Sequence, residues 1–321
     1  MPHRSRLALV RARLDLPTVR RATGLLEGRH RAVWKGHGDE VDDLHLYTPG
    51  DDVGDIDWRA SARSAQPVVK RYVATSNLSV VLVVDTGRHM GATSAGGERK
   101  DAVAQLVADV VAHLSHRRGD RVGLVAGDTA RVVELPARAG STHLEVLLRR
   151  LERTFDPAAG DGDLARLLDR VLRRTARRSL VVVVTDEARP TEDDARALAR
   201  VRTRHEVMVV QVADADLFGA GLGAAPGTLA GASDARRRGR PVAAPGGASA
   251  VRDIVTGWTL PAFLRGRRRV QEAVATARAE RHAAVRSRLA RVGVEAVTVE
   301  STHDVLDEVA ALLGRARRAR R

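Results

Sequence analysis

The sequence predicts a doubly wound, mostly parallel α/β sheet, and three observations carry that expectation. Val-rich apolar runs of strand length stand at 78–84, 180–184 and 206–212. Segments with apolar residues at helical spacing alternate with them. Continuous apolar runs, rather than alternating ones, mark strands buried on both faces, as in a parallel sheet covered by helices.

Each element follows from its local pattern. Met1–Gly28 is basic and loosely amphipathic and predicts one helix after Pro17. Arg29–Tyr72 is acidic and turn-rich and is expected to be irregular. Leu78–Val84 is the first buried strand and stops at Asp85. Glu98–His116 carries apolar residues at 103, 106, 107, 110, 111 and 114, the stripe of an amphipathic helix. Arg121–Ala126 and Ala130–Leu135 read as strands joined by a hairpin-like turn at Gly127-Asp128. Helices are predicted at Thr142–Arg153, Asp163–Thr175 and Thr191–Arg202, with strands at Leu180–Val184 and Glu206–Val212. Phe218–Ala250, with eight glycines and three prolines, reads as a surface insertion. A long helix over Pro261–Arg291, a strand at Val294–Val299 and a helix at His303–Leu313 complete the pattern, before a basic tail at 314–321. The composition break near Leu78 divides the chain into an N-terminal segment, 1–77, and an α/β domain, 78–321.

Composition narrows the function. Of 321 residues, 44 % are hydrophobic but only 2 % aromatic, so the core is aliphatic and a base-stacking nucleic-acid platform is disfavoured. The absence of cysteine excludes disulfides, thiolate zinc and a Cys nucleophile. The basic N-terminus never reaches an uninterrupted apolar core, and no apolar run spans a bilayer, so a soluble, cytoplasmic protein is expected. The net charge of +14 keeps a nucleic-acid partner in view, although twelve of the arginines cluster at 236–238, 265–269 and 315–321. No Gly-x-x-x-x-Gly-Lys-Ser/Thr, Gly-x-Ser-x-Gly or His-Glu-x-x-His occurs, and no nucleophile, base and oxyanion set is evident. His113 and His116 share a helix face without an evident third ligand.

Ligands of doubly wound sheets sit beyond the carboxyl ends of the strands, where Asp85 and Asp186 are placed, each as a helix cap or as a ligand. The stretch Asp85-Thr86-Gly87-Arg88-His89 resembles the Asp-x-Ser-x-Ser motif of von Willebrand factor A domains. Thr142, in Gly140-Ser141-Thr142, resembles that family's metal-binding threonine, and Asp186, in Val184-Thr185-Asp186, its second aspartate. The resemblance implies a metal-ion-dependent adhesion site in which hydroxyls ligate Mg²⁺ directly and the aspartates act largely through water. Gly87 and His89 replace both serines, so the expected site is degenerate and Mg²⁺ is disfavoured. Gly87, His89 and Glu187 become candidates for partner contact.

A second resemblance lies upstream. The run Asp43-Leu44-His45-Leu46-Tyr47-Thr48-Pro49-Gly50-Asp51-Asp52-Val53-Gly54-Asp55-Ile56-Asp57-Trp58-Arg59-Ala60-Ser61-Ala62-Arg63 is similar to the signature of the bacterial "domain of unknown function 58" family. His45 and Gly54 stand where that family usually has arginine. The resemblance implies a von Willebrand A-like fold and a partnership with a MoxR-type AAA+ ATPase, in a chaperone-like or complex-maturation role. On the residues themselves, Pro49-Gly50 suits a tight turn and Trp58 an apolar anchor. Asp51, Asp52, Asp55 and Asp57 can pair internally with Arg59 and Arg63 or face a partner. The expected function is a non-enzymatic protein-binding adaptor. The alternatives are a nucleic-acid-associated basic protein and a metal-dependent hydrolase using Asp85, His89 and Asp186.

Overall fold

The structure is a computed structural model that describes residues 40–48, 53–64, 66–73, 79–156, 158–216, 218, 251–261, 264 and 267–318. Its centre is a six-stranded sheet. The strands are β3 (Ser79–Asp85), β4 (Arg121–Gly127), β5 (Val132–Arg138), β6 (Leu180–Asp186), β7 (Glu206–Val212) and β10 (Glu295–Val299). They lie in the order β10-β7-β6-β3-β4-β5, and every pairing is parallel except the edge pair β4–β5.

Alternation along each strand sends side chains to opposite faces, and both faces are covered. On one face Val80, Leu82 and Val84 pack with α2 (Lys100–Arg117), α3 (Ser141–Glu152) and α7 (Val305–Arg318). On the other, Val81 and Val83 pack with α4 (Leu164–Arg174), α5 (Glu192–Arg202) and α6 (Arg268–Val292). This is why the central strands read as unbroken Val runs: neither face meets water. Small caps finish the helices. Asp163 accepts from Arg166 N–H at 3.0 Å, and Thr191 with Asp194 forms a reciprocal capping box.

The chain enters at the centre of the sheet, builds outward through β4 and β5, then returns to lay β6, β7 and β10 on the other side of β3. The reversal falls between β3 and β6. Their carboxyl ends therefore flank the crevice that such sheets use for ligands.

Several expectations need correction. Part of the acidic N-terminal segment is ordered rather than irregular: β1 (Glu40–Leu46) pairs antiparallel with β2 (Val68–Val73), with α1 (Trp58–Ser64) between them. Trp58 is 69 % exposed and does not anchor this unit; among its described side chains Val68 and Val69 are buried. The long helix starts at Arg268 instead of Pro261, because β8 (Val251–Arg252) and β9 (Thr259–Leu260) form a small hairpin just before it. The last helix runs on to Arg318, into the expected basic tail, since Arg and Ala are good helix formers. The helix expected after Pro17 and most of the insertion at 218–250 lie outside the described residues.

Candidate functional site

The carboxyl edge brings Asp85 and Asp186 to the crevice, each ending its strand. Asp85 is fully buried. Its Oδ1 accepts from Gly87 N–H at 3.0 Å, its Oδ2 from the Thr185 hydroxyl at 3.1 Å, and His89 Nε2 lies 3.2 Å from Oδ2. Burial would push the Asp85 carboxyl up, but the adjacent His89 cation and the Gly87 N–H outweigh it and hold it below its ordinary value. Burial likewise works against the His89 cation, and the adjacent Asp85 more than offsets this, so His89 titrates above its ordinary value.

Asp186 is held differently. Its Oδ1 accepts from Ala188 N–H at 2.6 Å, and its Oδ2 is paired with the ammonium of Lys100. Lys100 is 1 % exposed and pairs also with Asp214, in the loop after β7. It opens α2, where the helix dipole disfavours a cation, so the two carboxylates rather than the helix account for a lysine here. Burial opposes its charge, but Asp186 and Asp214 together raise its pKa. The Asp214 carboxyl is raised by burial and by repulsion from Asp186, against the pull of Lys100.

The other expected residues are placed as follows. Glu187 is buried, not offered to a partner: Arg278 of α6 grips both its oxygens at 3.1 Å, and His282 stands 3.0 Å away. Thr142 does not join Asp85 and Asp186. Because β5 runs antiparallel, it ends with Arg138 beside Val122, at the amino end of β4. The helix bearing Thr142 therefore starts at the opposite edge of the sheet, where His143 Nε2 lies 2.9 Å from Val122 O. The loop that does reach Asp85 is the one before α4, tied down by Arg88 N–H on Gly160 O at 2.9 Å and by Arg189 on Gly162 O at 2.7 Å.

That loop brings glycine. A β-carbon on Gly162 would stand 2.8 Å from both Asp85 oxygens and 2.5 Å from His89 Cε1. One on Gly87 would meet Gly162 N at 2.5 Å. The two glycines are packed against each other over the carboxylate, with no room for hydroxyl-bearing side chains. Mg²⁺ wants near-octahedral oxygen ligation, and here one aspartate is met by imidazole and the other by an ammonium. These residues do not fit a magnesium site. Among the described residues no group of three or more His, Asp or Glu side chains could hold a metal. Gly162→Ala is expected to break the Asp85–His89 contact and lower the thermal midpoint, with His89 returning toward its ordinary titration in an NMR pH series.

In the signature segment Asp57 acts as a helix cap, its Oδ1 accepting from the N–H groups of Arg59 at 3.0 Å and Ala60 at 3.1 Å. Asp57 N–H reaches Val68 O at 2.8 Å and Tyr47 N–H reaches Pro67 O at 2.8 Å, which staple the segment to β2 and the residue before it. Arg63 lies exposed in the last turn of α1, and Asp43 lies in β1 opposite Arg71. Pro49, Gly50 and Asp51 lie outside the described residues.

A family model described as "Protein of unknown function DUF58" matches residues 43–220, more than half of the chain and both the signature and the Asp85 edge. The chain belongs to this family. The uncharacterized protein Rv1480 of Mycobacterium tuberculosis is 32 % identical over 210 residues, covering 65 % of this DUF58 chain and 66 %, just under two thirds, of that relative. The uncharacterized protein MAV169 of Mycobacterium avium is 33 % identical over 84 residues, 26 % of this chain and 49 % of that one. Among solved structures, the BatB protein of Bacteroides thetaiotaomicron aligns with TM-score 0.41 and 15 % identity, covering 75 % of this chain and 99 % of that chain. An aerotolerance-related membrane protein of Bacteroides fragilis aligns with TM-score 0.41 and 15 % identity, over 74 % and 99 %. Likeness at this level says nothing about activity. The sheet of this DUF58 protein is doubly wound and mostly parallel, as expected. No helix among the described residues is long and apolar enough to cross a membrane.

Sequence reasoning missed Lys100, Asp214, Gly162 and Arg278. One signal for Lys100 was available: only three of the 54 basic residues are lysine, at 35, 70 and 100. A compact ammonium fits between two carboxylates where the arginine fork does not.

Proposed function

We propose that this protein is a non-enzymatic adaptor of von Willebrand factor A type that docks a protein partner on the carboxyl edge without a metal ion. The supporting observation is that the charges at the crevice are met internally while apolar groups are left exposed beside it. Ile254, Val255 and Trp258, on and just after the turn between β8 and β9, are 39 %, 43 % and 59 % exposed. Ile254 Cδ1 lies 3.2 Å from where a β-carbon on Gly91 would stand, just past His89. Exposed Trp with aliphatic neighbours is the usual anchor of a protein interface.

The partner class follows the family resemblance: a MoxR-type AAA+ ATPase, which would supply nucleotide hydrolysis in a chaperone-like or maturation role. The chain itself carries no nucleotide-binding motif. A cytoplasmic location is part of the same proposal.

The test is affinity capture from nuclease-treated native lysate at low and high salt, with and without chelator. Retention of an AAA+ ATPase through all four conditions supports the proposal. Loss on chelation refutes metal independence, and recovery of nucleic acid alone, lost at high salt, favours the basic-surface alternative. Trp258→Ala, at an exposed position, is expected to weaken capture about tenfold or more without changing the unfolding midpoint. Neither Mg²⁺ nor chelator should shift that midpoint, because a bound ion would raise it by mass action.

A further inference from the structure

The two edges of the sheet treat their cations differently. At the carboxyl edge arginines are set against carboxylates: Arg88 faces Asp161 at 3.1 Å, Arg131 faces Asp156 at 3.4 Å and Arg189 faces Asp194 at 2.7 Å. The amino edge is where β4, β6 and β7 begin and β5 ends. There Arg117, Arg138, Arg173, Arg177 and Arg204 are exposed, and none pairs with a carboxylate among the described residues. Arg121 and Arg202, also exposed, spend one donor each on a backbone carbonyl, Ala137 O at 3.2 Å and Val292 O at 3.0 Å, and keep their charge uncompensated. The acids of these loops do little to offset them: Asp120 is buried against Arg118 at 3.1 Å, and Glu206 stands 3.9 Å from Arg178.

Topology, not a run in the sequence, assembles this charge. Ser79 lies opposite Arg121, Val80 opposite Leu180, and Leu180 opposite Glu206, so the loops stand side by side across β5, β4, β3, β6 and β7. Four strand spacings make a row about 19 Å long. Helix dipoles account for part of it, since Arg117 and Arg173 lie in the last turns of α2 and α4. They do not account for Arg138, Arg177 and Arg204, which lie outside the helices. The field reaches the interior: burial, then the charges of Arg204 and Arg178, hold the buried His205 ring below its ordinary pKa.

We infer that the amino edge is a docking surface for the phosphate backbone of a nucleic-acid duplex, bound without regard to base sequence. A row of unpaired guanidinium groups is matched by a row of phosphates, and the counterions they release drive the association. The amino-edge loops carry no aromatic side chain on which an unpaired base could stack, which favours a duplex over a single strand. They also carry no exposed large apolar side chain to enter a bilayer. A duplex holds its charges in a rigid row, whereas an acidic peptide would first have to be ordered. The seven residues of β3, about 23 Å, separate this edge from the carboxyl edge, so a duplex here and a protein partner there can be held together.

The test is fluorescence anisotropy of a short labelled DNA duplex titrated with the whole 321-residue chain between about 50 and 200 mM NaCl. With about five phosphates neutralised, log affinity should fall against log salt with a slope of about −4.5, alike for two unrelated sequences and from a weaker start for a single strand. Arg173→Gln, Arg177→Gln and Arg204→Gln combined should weaken binding about thirtyfold and reduce the slope by about 3. These side chains are exposed, so the unfolding midpoint should not move. Arg236→Gln, Arg237→Gln and Arg238→Gln combined, the charge-matched control, should leave affinity and slope nearly unchanged. The inference is overturned if no duplex binds at the lowest salt, or if the control loses as much as the edge variant. It is also overturned if polyglutamate or phosphatidylglycerol vesicles of matched charge compete as well as unlabelled duplex, which would assign the edge to an acidic protein or to a lipid surface. Equal binding of the single strand overturns the duplex assignment.

Discussion

Lys100→Met is expected to destabilise the protein by about 3–5 kcal/mol, the range seen when one partner of a buried ion pair is removed. The substitution keeps the aliphatic stem and deletes only the charge. It leaves two carboxylates facing a vacated centre: Asp186, with 7 % of its side chain exposed, and Asp214, at 34 %. Most of the loss comes from Asp186, because water screens Asp214 in part. Lys100→Arg should also destabilise, since a planar fork does not fill the place of a point charge. Equilibrium urea unfolding checks both. The pH dependence gives a second reading. The Asp214 carboxyl is raised above its ordinary value, so the folded protein binds that proton more tightly than the unfolded chain. Asp214 therefore favours the fold increasingly as pH falls through its folded pKa. In Lys100→Met, with the compensating ammonium gone, this rise in stability toward acid should be steeper than in the wild type. A flat acid limb with unchanged stability would show that Lys100 does not hold the edge together. Joint replacement of Lys100, Asp186 and Asp214 by Met, Asn and Asn should recover much of the loss, since the cost lies in the unpaired charges.

How much of this was legible follows the physics of each element. β3 and β6 stood out because a strand buried on both faces cannot hide its apolar run, and the acids that end them fell at the reversal between β3 and β6. β1 was missed because Glu40–Leu46, with its three acids and a histidine, shows no apolar face; its ladder with β2 is backbone pairing that sequence pattern does not report. The misplacement of Thr142 was avoidable. The hairpin signal at Gly127-Asp128 already implied that β5 runs backward, and a backward strand delivers the next loop to the wrong edge for a ligand site. Lys100 is a different case. It sits in a polar stretch that reads as a helix start, and only the crossing of β6 with the loop after β7 supplies the two acids that justify burying it. Charge placement of that kind is tertiary information. The same holds for Gly162, whose role is set by the closeness of Gly87 and Asp85, residues 75 and 77 positions away.

His89→Gln should cost about 3–5 kcal/mol at mildly acidic pH, because it strips the cation from a carboxylate with no solvent access. The effect has a defined pH window. His89 titrates above its ordinary value of about 6.5, so its contribution is complete below that pH and is lost as pH rises through the folded value. Asp85 titrates below its ordinary value of about 3.9, so its contribution is present above that pH and is lost as pH falls through the folded value. The pair therefore stabilises most between roughly pH 4 and 6.5, and the difference between wild type and variant should narrow on both sides. Urea midpoints measured across pH 3–9 check this; a constant difference across the range would mean that His89 contributes packing rather than charge. The window also bears on the proposed interface. Gly87 and Gly162 are held over Asp85 by these contacts, and the loop before α4 forms part of the rim that a partner would meet. Capture of the partner by wild type should then weaken as pH rises past the His89 value, whereas capture through Trp258 alone would not respond. Measuring both quantities on the same samples separates an edge that merely folds through His89 from one that also binds through it.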